Sequence, residues 1–142
     1  MTTRRPRYPN PPIDATVGYA ADRSGGGVAY ARVGTGPEQH LLRVPFRAGR
    51  TALPDRAAGY AALTAVTRAL RAKGRGRIRF ALDDSALVED LAGRRPVPDA
   101  LVLPYVHLRC SLNQLEDFSV EFIAPGDLAQ RARAEVALNV AA

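Results

Sequence analysis

Few stretches of this chain hold residue types that could do chemistry, and ADRSGGG, residues 21–27, is the densest of them. It sets an acid, Asp22, beside a base, a hydroxyl and three glycines. Three readings are open: a loop that cradles phosphate, the acidic end of a catalytic strand, or a tight turn between strands. The glycines open a strand-like run rather than a helix, so they are badly placed to hold phosphate at a helix N-terminus. No G-x-x-x-x-G-K-[ST] or G-x-S-x-G sequence occurs, which removes the P-loop and the serine nucleophile elbow. Asp-x-Ser-Gly is ordinary turn chemistry as well. A second acidic point is LDDS, 82–85. There Asp84 and Ser85 read as a helix N-cap, and Asp83 faces the other side of its strand. Asp127 and Gln130 have the spacing of a capping-box helix start. His40 and His107 have no second histidine or cysteine at metal-ligand spacing and read as structural or surface residues. Cys110, the one cysteine, excludes an internal disulfide and falls in an apolar periodic stretch, where it reads as a small buried side chain.

Charge adds a second kind of candidate. The net charge of +6 suits a polyanionic partner, and its distribution is uneven. Arg4, Arg5 and Arg7 lie in residues 1–12, a stretch with four prolines and no apolar periodicity, which reads as an extended basic arm. Between Asp55 and Asp83 there is no acid, while Arg56, Arg68, Arg71, Lys73, Arg75, Arg77 and Arg79 accumulate. Part of that run is expected at a helix C-terminus, where cations are favoured. No run of 18 apolar residues exists, and no apolar segment follows the N-terminal arginines, so the expectation is a cytoplasmic globular protein with no membrane span.

These residues must be positioned by the elements around them. IDATVGYAAD, GGVAYARVG and EQHLLRVPFR read as three strands of an antiparallel meander, with Pro45 arguing for an edge. DRAAGYAALTAVTRALRAKG has Leu63, Val66, Thr67 and Leu70 on one helical face, and Gly74 at its C-terminal stop. RIRFALD is a strand, and DSALVEDLAG is a short helix ended by Gly93. DALVLPYVHLRCSLNQLED is a helix with Pro104 near its first turn, FSVEFIA a last strand and DLAQRARAEVALN a last helix. The order β-β-β-α-β-α-α-β-α predicts an α/β domain over 13–142: a mixed five-stranded sheet with helices packed on both faces.

This order, with ADRSGGGVAYARV, GYAALTAVTRAL and LDDSALVEDL in sequence, resembles the ribonuclease H-like superfamily, in particular its small single-domain group. The resemblance runs from about residue 13 to the C-terminus and implies a site in which four carboxylates hold two divalent cations, magnesium or manganese. Carried over residue by residue, it implies that Asp22 is the first acid and Asp84 the third, with Arg23 and Ser24 beside the first. The second acid falls on Gly59, and the fourth on Gln130 or Arg131, so two of the four are missing. The implied function is a module that binds RNA or an RNA–DNA hybrid and is impaired in two-metal hydrolysis. Its phosphate contacts would come from Arg23, Ser24, Arg71, Lys73 and Arg75, with Arg4, Arg5 and Arg7 of the arm. Two alternatives stand beside it: a divergent Mg- or Mn-dependent endonuclease using Asp22 and Asp84, and a protein-interaction scaffold on a degenerate fold.

Overall fold

Alternating burial in the first half of the chain builds a meander, as the sequence predicts. β1 (Ile13–Ala21) turns Ala15 and Val17 to one face, and β2 (Gly26–Val33) buries residues on both. β3 (His40–Arg47) is exposed at every second position. The computed structural model describes residues 11–141, so Arg4, Arg5 and Arg7 of the basic arm lie outside the described residues. β1–β2 and β2–β3 are antiparallel. β4 (Arg77–Leu82) runs parallel to β1, and β5 (Asp117–Phe122) parallel to β4. The sheet order is β3-β2-β1-β4-β5, mixed and five-stranded. Pro45 sits on the edge strand, where its missing donor costs no ladder bond on the open side.

Four helices complete the predicted order: α1 (Pro54–Ala72), α2 (Ser85–Leu91), α3 (Val102–Asn113), entered through a 3-10 turn at Asp99–Leu101, and α4 (Asp127–Ala141). α1 lies on β1, β2 and β3 and carries α3 on its back, while α4 crosses the other face against β1 and β2. The main core joins Leu63, Val66 and Leu70 of α1 to Ala15, Val17 and Phe80 of the sheet. Each large apolar side chain buried there contributes about 1.5–3 kcal/mol. A smaller core of Val28, Tyr30, Leu128 and Ala132 holds α4.

α1 ends as predicted at Gly74: the Gly74 amide donates to the Arg71 carbonyl and the Arg75 amide to the Leu70 carbonyl, a Schellman pairing. Cys110 departs from expectation, being exposed. α3 and its entry turn bury the stripe Leu101, Leu108 and Leu112, and Cys110 projects two residues round the helix from Leu108, away from that stripe. Among the described residues no helix is long and apolar enough to cross a membrane.

Candidate functional site

The C-terminal ends of β1 and β4 lie side by side, and their shared register decides which residues meet. The last parallel pair is Val17↔Leu82. Two residues further on stand Tyr19, still within β1, and Asp84, just past the end of β4 in extended backbone, on the face toward α1. The Tyr19 hydroxyl donates to Asp84 Oδ2 at 2.6 Å. Asp84 also caps α2, its Oδ1 accepting from the Leu87 amide at 3.1 Å. Both carboxylate oxygens are therefore engaged by neutral donors. Burial, and after it the Asp84 charge, pushes the Tyr19 phenol well above the ordinary tyrosine range.

α1 reaches this point with Gly59, which is buried rather than on an exposed stretch of helix. A Cβ on Gly59 would lie 2.6 Å from Asp84 Oδ2 and 2.8 Å from the Tyr19 hydroxyl. Both are closer than side-chain carbons approach oxygen, so the absent methyl is what admits the Tyr19–Asp84 bond. α4 arrives from the opposite face through a similar device. A Cβ on Gly18 would meet the Ala129 amide nitrogen at 2.4 Å, so a glycine there brings the start of α4 onto β1. Ala129 and Arg133 consequently line the same depression as Tyr19, Asp83 and Asp84. The Asp83 carboxyl is raised above the usual carboxylate range, first by burial and then by the Asp84 charge, with Arg133 opposing.

Asp22 stands elsewhere. It follows the last residue of β1 and makes the turn, accepting from the Ser24 amide at 2.8 Å and the Ser24 hydroxyl at 2.5 Å. The Ser24 hydroxyl holds its carboxyl below the usual range. ADRSGGG is thus a strand-to-strand turn, closed by the Asp22 amide donating to the Gly26 carbonyl. Asp22, Arg23 and Ser24 line a groove of about 1040 Å³ that does not include Asp84. The structure sets Tyr19, not Asp22, level with Asp84. Neither residue offered for the fourth acid lines the depression: Gln130 is exposed, and Arg131 stacks over the Tyr30 ring at 5.1 Å. The basic run also divides. From Gly59 to Arg71 the helix rises about 18 Å, which leaves Arg71, Lys73 and Arg75 at the far end of α1 from Arg23 and Ser24. Arg71 there bonds Gln114.

Sequence comparison gives no match to any family model or curated protein. Solved structures do match. Ribonuclease H1 from the halophilic archaeon Halobacterium salinarum superposes with a TM-score of 0.66 at 22% identity, over 91% of this chain and 99% of that one. LC11 ribonuclease H1, solved in complex with an RNA/DNA hybrid, gives 0.70 at 13% identity over 92% and 99%. The N-terminal ribonuclease H domain of a Mycobacterium tuberculosis protein, solved as a fusion with maltose-binding protein, gives 0.59 at 17% over 90% and 99%. The fold is ribonuclease H-like.

Two divalent cations do not fit the residues present at the strand ends of this ribonuclease H-like domain. Hard cations need several converging oxygens. Among the described residues no three histidine, cysteine, aspartate or glutamate side chains are grouped so as to hold a metal ion. Nearest Asp84 stand Tyr19 from β1 and the bare backbone of Gly59 from α1, and the depression is completed by Ala129 and Arg133 of α4 and by Asp55 and Asp83, which do not close with Asp84 into such a group. Sequence reasoning found Asp84 and Gly59 but missed Tyr19. The available signal was alternation, since Ala15, Val17 and Tyr19 share one face, as do Ile78, Phe80, Leu82 and Asp84.

Proposed function

We propose that this chain is a ribonuclease H-like module that binds RNA or an RNA–DNA hybrid through the phosphate backbone and is impaired in two-metal hydrolysis. The observation that carries the binding half is a continuous basic run beside the strand ends. The groove at Asp22 shares Arg47, Ala48 and Gly49 with a second groove between β3, α1 and α3, which Arg68 and His107 line. Along the two lie four guanidiniums, from Arg23, Arg47, Arg50 and Arg68, against Asp22 and Asp55. None of the four takes part in a salt bridge among the described residues. Both acids sit at the strand-end extremity, so the stretch from Arg47 to Arg68 is the more positive. Arg47 donates to the Ser24 carbonyl, and guanidiniums not committed to a carboxylate are suited to phosphate oxygens, which they engage in a bidentate fork. A hybrid bound to LC11 ribonuclease H1, which has the same fold, supports the choice of ligand.

The impaired half rests on the separation of Asp22 from Asp84, the one in a turn and the other satisfied by Tyr19 and an amide. Fluorescence anisotropy with a labelled hybrid tests the binding. Four phosphate contacts predict that affinity falls about a hundredfold between 50 and 200 mM salt. Replacing Arg47 or Arg68 by alanine should lower the salt slope by about one each. A dissociation constant flat across that range would sink the proposal.

A second reading also has an observation in its favour. Val102, Leu103 and Val106 of α3 are exposed, as is Cys110 on the same helix, which suits a protein-interaction scaffold. Light scattering after size exclusion distinguishes it by self-association that Leu103→Lys abolishes.

A further inference from the structure

We infer that Tyr19 and Gly59 are one coupled replacement, in which a phenol on β1 takes the place of a metal-binding acid and the glycine on α1 clears the space its hydroxyl needs. This deepens the impaired half of the proposed function and is independent of whether nucleic acid binds. Three observations converge. The β1–β4 register makes Tyr19 the residue level with Asp84, while Asp22 lies three positions on, outside the strand. The Tyr19 hydroxyl and Asp84 Oδ2 together fill the volume that any side chain at position 59 would enter. The remaining Asp84 oxygen is committed to the start of α2.

The chemistry of the exchange is specific. A carboxylate at position 19 would stand against Asp84 as a like charge and would need a cation between them. A phenol instead brings a donor, satisfies Oδ2 and adds no charge. A glutamate at position 59 cannot coexist with the phenol, because even its Cβ would collide with the phenolic oxygen. The two positions therefore change together, and glycine is the residue that removes the collision outright.

Two measurements test this on the full chain, neither of them an activity assay. The first is manganese binding by isothermal titration. The wild type is expected to show no saturable site, and Tyr19→Asp combined with Gly59→Glu to bind at least tenfold more tightly, in a manner that Asp84→Asn abolishes. A wild-type site that Asp22→Asn removes would overturn the inference, as would a folded double variant that binds no better than wild type. The second holds if the double variant does not fold. Gly59→Ala should lower the melting temperature of the wild type, because its methyl strikes the phenol and Asp84. In a Tyr19→Ala background, where only Asp84 Oδ2 remains in the way of the methyl, the same change should cost clearly less, and alanine's helix preference offsets part of what is left. An equal loss in both backgrounds would overturn the coupling. Hybrid binding, followed in parallel by anisotropy, is expected to survive in Tyr19→Ala; its loss there would count against the binding proposal and leave the manganese and melting results to decide this one.

Discussion

α2 begins and nearly ends on an aspartate that accepts from a tyrosine, and the two pairs are built on opposite principles. At the N-terminus Asp84 receives the Tyr19 hydroxyl and the Leu87 amide, with no cation bonded to it among the described residues. Near the C-terminus Asp90, fully buried, receives the Tyr60 hydroxyl at 2.5 Å and is ion-paired by Arg56 and by Arg95 at 3.3 Å. The helix explains the difference. Its first amides favour a carboxylate, while its last carbonyls oppose one. Asp90 is accordingly partnered by cations in the interior, and Asp84 by neutral donors. A carboxylate can be kept at such a strand end without a metal if neutral donors take both its oxygens. Among the described residues no buried side-chain nitrogen or oxygen lacks a partner, so neither acid is stranded.

The largest effect should come from stranding Asp90. Replacing Arg56 and Arg95 together by methionine leaves a buried carboxylate with only a phenol, at a cost of about 3–5 kcal/mol. Thermal denaturation should show a fall on the order of 10 °C. A loss smaller than that of Tyr19→Phe would break the contrast between the two ends of the helix.

Removing each hydroxyl sharpens the same contrast on a smaller scale. Tyr19→Phe takes away the donor of Asp84 Oδ2, and about 1–2 kcal/mol is expected. Tyr60→Phe leaves Asp90 its two arginines, and about 1 kcal/mol is expected. Both phenols are raised above the usual tyrosine value, in each case first by burial; the Asp84 charge adds to it at Tyr19 and the bond to Asp90 at Tyr60. A raised phenol favours its neutral form in the folded state. Its contribution is thus complete below about pH 10, the unfolded value, and is lost as the pH rises through the higher folded one. Denaturant unfolding should accordingly show stability that holds to about pH 9 and declines from about pH 10 upward, less steeply in either Phe variant. A decline of equal slope in Tyr19→Phe would remove the phenol from the explanation.

How much of this was legible in the sequence follows from the range of the interactions. The element order was, because it rests on local signals: alternation in the strands, the Leu63–Leu70 stripe in α1, Gly74 and Gly93 as helix ends, Pro45 on an edge. Asp84 as an N-cap was legible for the same reason. The Tyr19–Asp84 contact was not. A strand's length and its register against a partner sixty residues away are set by packing, and β1 runs two residues past Tyr19 before the turn at Asp22. The Asp90 cluster was missed too, since Arg56, Tyr60 and Arg95 reach it from both sides of the chain. Cys110 was misjudged by reading an apolar stretch as buried all round, when the helix hides only one stripe.

The smallest expected effect belongs to the residue that first drew notice. Asp22 is half-buried in its turn, and its bonds run to Ser24 and not to Asp84 or Tyr19. Asparagine keeps a side-chain oxygen at the same place and makes the same kind of turn. Asp22→Asn should therefore leave the melting temperature unchanged. In a hybrid-binding assay it should tighten affinity slightly, since it removes one of the two acids from a groove lined by Arg23, Arg47 and Arg50. The endonuclease alternative requires the opposite pattern, in which a magnesium- or manganese-dependent cleavage of the hybrid disappears with the Asp22 charge. Should that cleavage exist and Asp22→Asn abolish it, the acid in the turn would be the working one, and Tyr19 would be a support for Asp84 rather than its replacement partner.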